Sequence, residues 1–492
     1  MRALPMLLAS LLLAAAAPPP PVPPALPADV LESTLPAIRQ RLADWMLDSH
    51  VPGLAFGIVA GGRLVHLEAM GTADPRTRAP VTADTRFRIA SMSKALTGLA
   101  ILTLVAEGKL NLDDRAAAHV PEMAGWGDDI RISDLLFHQA GFVTDDPWGD
   151  RQQPLTEAEF SRLLADGVPL NRPPRTAFEY SNLGYAVLGR IITNVGGEPY
   201  QAYIRRRFLT PLGMSATTYD VEAVPADRLA NGFRWQDNGW VPEPVMPDGA
   251  FGAMGGVVTT ASDYARWIAF LLSGWPAGGA DSRIVAPLTI RGVVAETGLP
   301  QSRPRPGSAG ASSCRLAAGY GAGLIAARDC DLGLVLFHGG GYPGYGSHML
   351  LLPEAGVGLF AFTNRTYAGV SGPLWEAALA LKAAGAFRPP PVAVSPALAR
   401  AYEGVRRIWA EGRIDAEPGL LAVNMPLDRP ARLWAADLAD LREQTGDVVV
   451  GAHVAGGHER AGDRRGGSGR TPASGGAAPG REIGRASCRE RV

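Results

Sequence analysis

The sequence predicts a mixed α/β fold in which a central antiparallel sheet is closed by the two ends of the chain and flanked by helices. Three observations carry this. Two strand-like runs, residues 54–59 and 64–69, flank Gly61-Gly62 and read as an early hairpin. A long helix-rich stretch follows, and then four late strand runs separated by tight turns. The composition, 47% hydrophobic and 19% charged over 492 residues, suits a full core and rules out disorder.

Taken in order, the chain begins with Met1-Arg2 and an apolar stretch to Ala17 that ends in small residues, the pattern of a cleavable secretory signal over 1–17. A retained N-terminal anchor is the alternative, although the run falls short of the roughly 20 apolar residues that span a bilayer. A periplasmic or secreted protein is expected. Seven prolines between Pro18 and Pro27 make residues 18–28 a stiff spacer. The domain expected to carry function runs from 29 to 388. It opens with a helix over 29–49, where Leu31, Leu35, Ile38, Leu42 and Met46 recur at three- and four-residue steps. Leu96 to Val105 is an apolar helix closed by Gly108, and Ser262 reads as the N-cap of a helix through Leu272. The late strand runs are 320–327, 333–337, 348–352 and 357–363. Pro389-Pro390-Pro391 marks a boundary, and residues 389–446, with helices over 397–411 and 428–445, read as an incomplete helical module. Residues 447–492 are Gly- and Arg-rich, without apolar period. They end in a run resembling a translated sequencing adapter, and are expected to be an unstructured frameshift artefact.

Charge excludes further classes. Lys+Arg 47 against Asp+Glu 48 gives a net charge of −1, so no overall basic field recruits nucleic acid. Neither H-E-x-x-H nor a cluster of acidic residues calls for a metal, and no cofactor motif survives inspection. Gly339, Gly341 and Gly344 spell G-x-G-x-x-G, but Pro343 interrupts the motif and a strand follows where a helix is required. Of three cysteines, Cys314 and Cys330 either form a disulfide or stay as two free buried thiols.

The chemistry starts from a rarity. Only three residues are lysine (Lys94, Lys109 and Lys382), in a chain that otherwise writes arginine. Ser91-Met92-Ser93-Lys94 places one of them three residues after a serine at a helix start, on the same face. A serine hydroxyl needs a base to become a nucleophile, and lysine can supply one where guanidinium cannot. Bringing a lysine pKa from about 10.4 to about 7 takes roughly 4.6 kcal/mol, within reach of burial and a neighbouring cation. The Ser91 N–H at the helix start could form half of an oxyanion hole. The plain alternative is a surface helix with Ser91 as its N-cap. Tyr180-Ser181-Asn182 follows a polar loop and precedes a helical run. A tyrosine there could shuttle a proton and an asparagine hold an amide, or the tyrosine could simply be core with Ser181 as a cap. His338-Gly339-Gly340-Gly341 ends a strand run where glycines would let a substrate carbonyl approach the backbone.

In this order the three elements resemble the serine β-lactamase and penicillin-binding superfamily, in its branch of class C β-lactamases, D-alanyl-D-alanine carboxypeptidases and esterases. The likeness spans about residues 30 to 385 and includes FRIASMSKALTGLAILTLVAEGKLNLDD (87–114), FEYSNLGYAVLG (178–189) and HGGGYPGYGSHMLLLPEAGVGLFAFTNR (338–365). It implies an all-helical subdomain beside the sheet, with the site in the cleft between them. It also implies roles. Ser91 would be acylated, Lys94 would help deprotonate it, and Tyr180 would carry the proton to the leaving group. Asn182 would orient the acyl side chain, Gly341 N–H would complete the oxyanion hole, and His338 with Gly339 and Gly340 would occupy the third motif. There the chain departs from true β-lactamases, which resemble K-T-G: histidine is part-charged at neutral pH and Gly339 has no hydroxyl. Losing such contacts could cost one or two decades in carboxylate binding. The expectation is a serine hydrolase acting through an acyl-enzyme on a small-molecule or short-peptide β-lactam, D-peptide or ester. The alternatives are a receptor that acylates with little turnover and a carboxylesterase of the same fold. His138, His66 and His348 are expected to be structural, and Trp126 and Trp148 to pack or line a rim.

Overall fold

Nine strands form one antiparallel sheet in the computed structural model, which describes residues 26–144, 149–275, 284–307, 314–386, 396–417, 419–421 and 425–445. In chain order they are β1 (Gly53–Ala60), β2 (Arg63–Asp74), β3 (Ala79–Pro80), β4 (Gln301–Pro304), β5 (Arg315–Tyr320), β6 (Ile325–Asp329), β7 (Gly333–Tyr342), β8 (Tyr345–Leu352) and β9 (Val357–Thr363). Their order across the sheet is β3-β2-β1-β9-β8-β7-β6-β5-β4. β1 pairs with β9, Leu54 opposite Thr363, so the early hairpin and the late meander close on each other as the sequence predicts.

Period-2 alternation sends the side chains of this sheet into two separate cores. Leu54, Phe56, Ile58, Leu350, Leu359 and Ala361 face one way. They meet α1 (Ala28–Asp48), through Leu31, Ile38 and Leu42, and the last helix of the domain, Ser371–Ala383, through Leu374, Trp375 and Leu381. On the other face Ala55, Val59, Met349, Phe360 and Phe362 meet α2 (Lys94–Ala106) and the helix Ala261–Leu272. α2 is buried almost all round, which is why its sequence is apolar without a polar face. Beyond it lies the helical region, including α3 (Ile132–Leu136), α4 (Glu157–Ala165) and α5 (Asn182–Gly196).

Three local expectations are corrected. The run 320–327 is not one strand: Gly321–Leu324 turns between β5 and β6, Gly323 holds φ +83°, and a Cβ there would lie 2.2 Å from Lys94 O. A continuous apolar run hides such a turn because the turn itself is buried against α2. The helix ending at Leu272 is capped by Thr260, whose side chain accepts from Asp263 N–H, and Ser262 lies inside it. β7 continues to Tyr342, so the glycines after His338 lie within a strand and not beyond its end.

The chain divides into two compact units, 1–390 and 391–492. The second contains the helices Pro396–Glu411 and Ala431–Thr445 and a short turn of helix, Met425–Asp428. The proposed signal, most of the proline spacer and the Gly/Arg-rich tail lie outside the described residues.

Candidate active site

The site is built on the turn that enters α2. Ala90–Ser93 form a 3₁₀ turn, and Ala90 is held at φ +49°, a left-handed conformation that costs a non-glycine residue free energy. The surroundings fix this turn from two sides. Ile89 N–H donates to Val257 O at 3.0 Å and Val257 N–H to Ser93 Oγ at 3.2 Å, tying it to the segment 252–257. Ser347 Oγ of β8 donates to Ile89 O at 2.8 Å.

Ser91 and Lys94 stand one above the other across one helical turn. Lys94 Nζ is fully buried and lies 3.0 Å from Ser91 Oγ. It also donates to Asn182 Oδ1 and Met254 O, both at 2.7 Å, and the rings of Tyr180 and Tyr185 face it at 4.9 and 5.5 Å. Carbonyl oxygens only accept, so they claim two N–H bonds of the amine. The direction facing Ser91 Oγ then holds either a third proton or the lone pair, and proton exchange with the hydroxyl requires no side-chain movement. Tyr180 OH donates to the same Oγ at 2.9 Å. Ser181, between Tyr180 and Asn182, caps α5 by accepting from Gly184 N–H. Asn182 Oδ1 is engaged by Lys94, and its Nδ2 donates toward Asp150 Oδ1 at 3.5 Å.

His138 steadies the tyrosine. Its carbonyl accepts from Glu179 N–H at 2.8 Å and its Nδ1 from Ser181 N–H at 3.1 Å, which leaves the ring proton on Nε2. That Nε2 has no hydrogen-bond partner, and the ring lies 4.3 Å from those of both Tyr180 and Tyr320. Burial, with the Lys94 charge adding, pushes its pKa well below the ordinary histidine value. The structural reading of His138 thus includes a direct hold on the Tyr180 segment.

His338 differs from expectation. Its Nδ1 lies 2.6 Å from Gly339 O, a pure acceptor, so Nδ1 carries the proton and Nε2 accepts from Tyr320 OH at 2.7 Å. Burial, aided by the charge on Lys94, lowers its pKa to about 3. The residue expected to be part-charged at neutral pH is a neutral ring with both nitrogens engaged.

The glycines separate by face. Gly339 and Gly341 line a cavity of about 380 Å³ together with Ser91, Tyr180, Asn182 and His338. Gly340 does not line it: a Cβ there would lie 2.1 Å from Ser347 Oγ and 2.4 Å from Ile89 O. Its part is to let β7 press against the turn preceding Ser91, not to meet substrate. Four further lining residues with polar groups, Asp150, Arg303, Tyr320 and Tyr367, went unnoticed in the sequence, and the apolar Phe178 and Ile325 complete the wall. Asp150 Oδ2 accepts from Tyr367 OH at 3.0 Å. None of the four belongs to a motif, and an arginine carries no signal in a chain so rich in arginine.

The remaining candidates lie elsewhere. Cys314 and Cys330 form a disulfide across the open end of the β5–β6 hairpin, Cα–Cα 5.9 Å. His66 sits beside Glu68 on β2 at 3.4 Å. His348, expected to be structural, is buried on β8 with no hydrogen bond to Nε2, and burial takes its pKa to about 3. Trp126 packs in the core and donates to Leu164 O at 2.8 Å, whereas Trp148 lies outside the described residues.

Comparison with known proteins agrees with this fold. The sequence profile of the Beta-lactamase family matches residues 36–384. Protein flp of Staphylococcus aureus (strain MW2) is 29% identical over 326 residues, covering 64% of this chain and 60% of its own length. Penicillin-binding protein 4 of Amycolatopsis lactamdurans is 31% identical over 238 residues, 46% of this chain and 61% of its own. The chain thus spans about 60% of the length of these curated relatives. Among solved structures, the octameric penicillin-binding protein homologue from Pyrococcus abyssi superposes with a TM-score of 0.60 at 26% identity, covering 71% of this chain and 77% of that one.

Proposed function

Because the chain belongs to the Beta-lactamase family, we propose that it is an exported serine hydrolase working through an acyl-enzyme on amide or ester substrates. The observation that carries this reading is the position of Ser91 Oγ, 3.0 Å from Lys94 Nζ and 2.9 Å from Tyr180 OH at the wall of a cavity. In the forward step the Ser91 proton passes to Lys94 Nζ as Oγ bonds the substrate carbonyl carbon. The carbonyl π pair moves onto oxygen, which the N–H groups of Ser91 and Gly341 receive. Collapse of that intermediate expels the amine or alkoxide, which leaves with a proton relayed from Lys94 through Tyr180. A water, giving its proton back along the same relay, then attacks the acyl carbon and frees Ser91.

Neutral His338 and Gly339 supply neither a cation nor a hydroxyl for a substrate carboxylate, which speaks against efficient cephalosporin hydrolysis through the third motif and leaves peptidase, amidase or esterase action as fitting readings. Export is supported by the apolar N-terminal run and by the Cys314–Cys330 disulfide, a bond that persists in oxidising compartments.

A fluorophosphonate or fluorescent penicillin should label Ser91, and Ser91→Ala should abolish the label. Labelling that survives this substitution would falsify the assignment. Comparing p-nitrophenyl acetate, nitrocefin and a D-Ala-D-Ala peptide then ranks the substrate classes, and a burst of product without steady release would identify an acylating receptor instead.

A further inference from the structure

A buried cation lies outside the cavity, and no step of the proposed reaction uses it. Arg88, three residues before Ser91, is 1% exposed and does not line the cavity. Its Nη2 donates to Met246 O, and its guanidinium lies over the ring of Tyr342, 5.0 Å from the centroid. Its Nη1 is buried without a hydrogen-bond partner, and among the described residues no carboxylate forms an ion pair with it. Asp248 feels the charge, but its oxygens accept from Gln201 Nε2 at 2.7 Å and from Tyr200 OH at 3.5 Å. A charge held out of water by one carbonyl and one ring face contributes little to stability. Its effect is to join separate segments. Tyr342 OH donates to Gln153 Oε1 at 2.9 Å, and Gln153 Nε2 donates to Pro247 O at 3.3 Å, beside Met246. Arg88, Tyr342, Gln153 and the backbone at 246–247 thus close a ring of contacts, its three side chains all buried.

Each segment in this ring carries a group of the site. Arg88 leads through Ile89 and the left-handed Ala90 to Ser91 N–H. Tyr342 ends β7 directly after Gly341. Met246 opens the segment that reaches Met254 O, which takes one N–H of Lys94 at 2.7 Å. We propose that Arg88 is a positioning residue of the reaction, its buried guanidinium holding the Ser91 turn, the end of β7 and the segment 246–254 so that the N–H groups of Ser91 and Gly341 converge on one oxyanion. The assignment rests on the serine hydrolase reading and adds a residue to it. Arg88 acts through the backbone and touches no substrate. A shift of about 1 Å in such a site costs on the order of a hundredfold in rate, whereas a fold relieved of a poorly paired buried charge loses little stability.

The test compares Arg88→Met, which keeps bulk and removes the charge, with Arg88→Lys, which restores a cation and a donor, in the full-length protein. In R88M, kcat/KM on p-nitrophenyl acetate should fall about ten- to a hundredfold. Affinity for phenylboronic acid, whose adduct on Ser91 Oγ places an oxygen in the oxyanion hole, should fall by the same factor. R88K should lie between R88M and wild type on both scales, and the melting temperatures of all three should agree within a few degrees. A merely structural role predicts the reverse, a lowered melting temperature with kinetics and boronate affinity of the folded protein unchanged, and that result would overturn the proposal. So would a lysine variant no better than methionine. Hydrogen–deuterium exchange reads the same hold without chemistry. In R88M the amides of 89–93, 252–257 and 339–342 should exchange about tenfold faster, with those of 357–363 in β9 unchanged. Equal exchange in R88M and wild type across the first three segments rejects the assignment. Should ester cleavage be absent in the wild type, or persist in Ser91→Ala, the hydrolase reading fails, and the exchange measurement still decides whether Arg88 holds these segments.

Discussion

Lys94 is where the chemistry concentrates. It is fully buried, meets two carbonyl oxygens and faces Ser91 Oγ at 3.0 Å, so one proton decides whether the serine can attack. Lys94→Arg keeps a cation but removes the capacity to accept that proton, and Lys94→Met removes both. Each is expected to lower kcat/KM on p-nitrophenyl acetate by on the order of 10⁴, as is Ser91→Ala, and the Ser91/Lys94 double variant should lose little more. An arginine variant that kept a tenth of the wild-type rate would remove lysine from the mechanism. Ser91 and Lys94 were legible in the sequence because lysine is scarce there and helical spacing puts the pair on one face. Tyr180 and Asn182 were legible as a motif, although not the grip of Asn182 on Lys94. Arg303, Asp150 and Tyr320 were not: each is a common residue type brought in by a distant segment, and nothing in its neighbours marks it.

At the scale of elements, the strand β7 and the turn before Ser91 are pressed together through Gly340. A methyl group there meets Ile89 O, which is backbone and cannot swing away, whereas at Gly339 the nearest neighbour is His348 Nδ1 at 3.3 Å. Gly340→Ala should cost about 1–3 kcal/mol in unfolding experiments, the range for overpacking. It should also slow acylation, since the turn it displaces carries Ser91; Gly339→Ala should do less of both. Equal effects at the two positions in thermal melts and burst kinetics would contradict the assigned faces. The sequence could not distinguish these glycines, because a run of three offers no alternation to tell inside from outside. The hairpin β5–β6 was hidden for a related reason, its turn being as buried as its strands. Its open end is tied by Cys314–Cys330, with 16 residues of sequence separation. Closing such a loop is worth about 3 kcal/mol, so Cys330→Ser or reductant should lower the melting temperature by a few degrees. A melt indifferent to reductant would show the pair to be unlinked.

For the whole molecule, the sheet and its two cores were legible because strand periodicity and the order of elements already imply a sheet joined through its chain ends. What periodicity does not reveal is the cost of the polar groups that this double burial encloses. Three histidines, His138, His338 and His348, are buried with lowered pKa values, the last two at about 3. Below the ordinary value near 6.5 the unfolded chain takes up protons that the folded chain refuses, so each histidine withdraws about 1.4 kcal/mol of stability per pH unit. Asp248 acts in the opposite sense. Burial raises its pKa to about 6, so between that value and 3.8 the folded chain holds a proton that the unfolded chain has released. For these four groups together the unfolded state takes up the larger share of protons, so stability should fall as the pH drops from 6 to 4. Domains are stable by only about 5–15 kcal/mol, so the urea midpoint should drop steeply across this window. His348→Leu isolates the cause, because His348 lies outside the cavity and its Nε2 makes no hydrogen bond. The variant should flatten the dependence by about one proton, and a slope identical to wild type would mean that His348 takes up its proton in the native state.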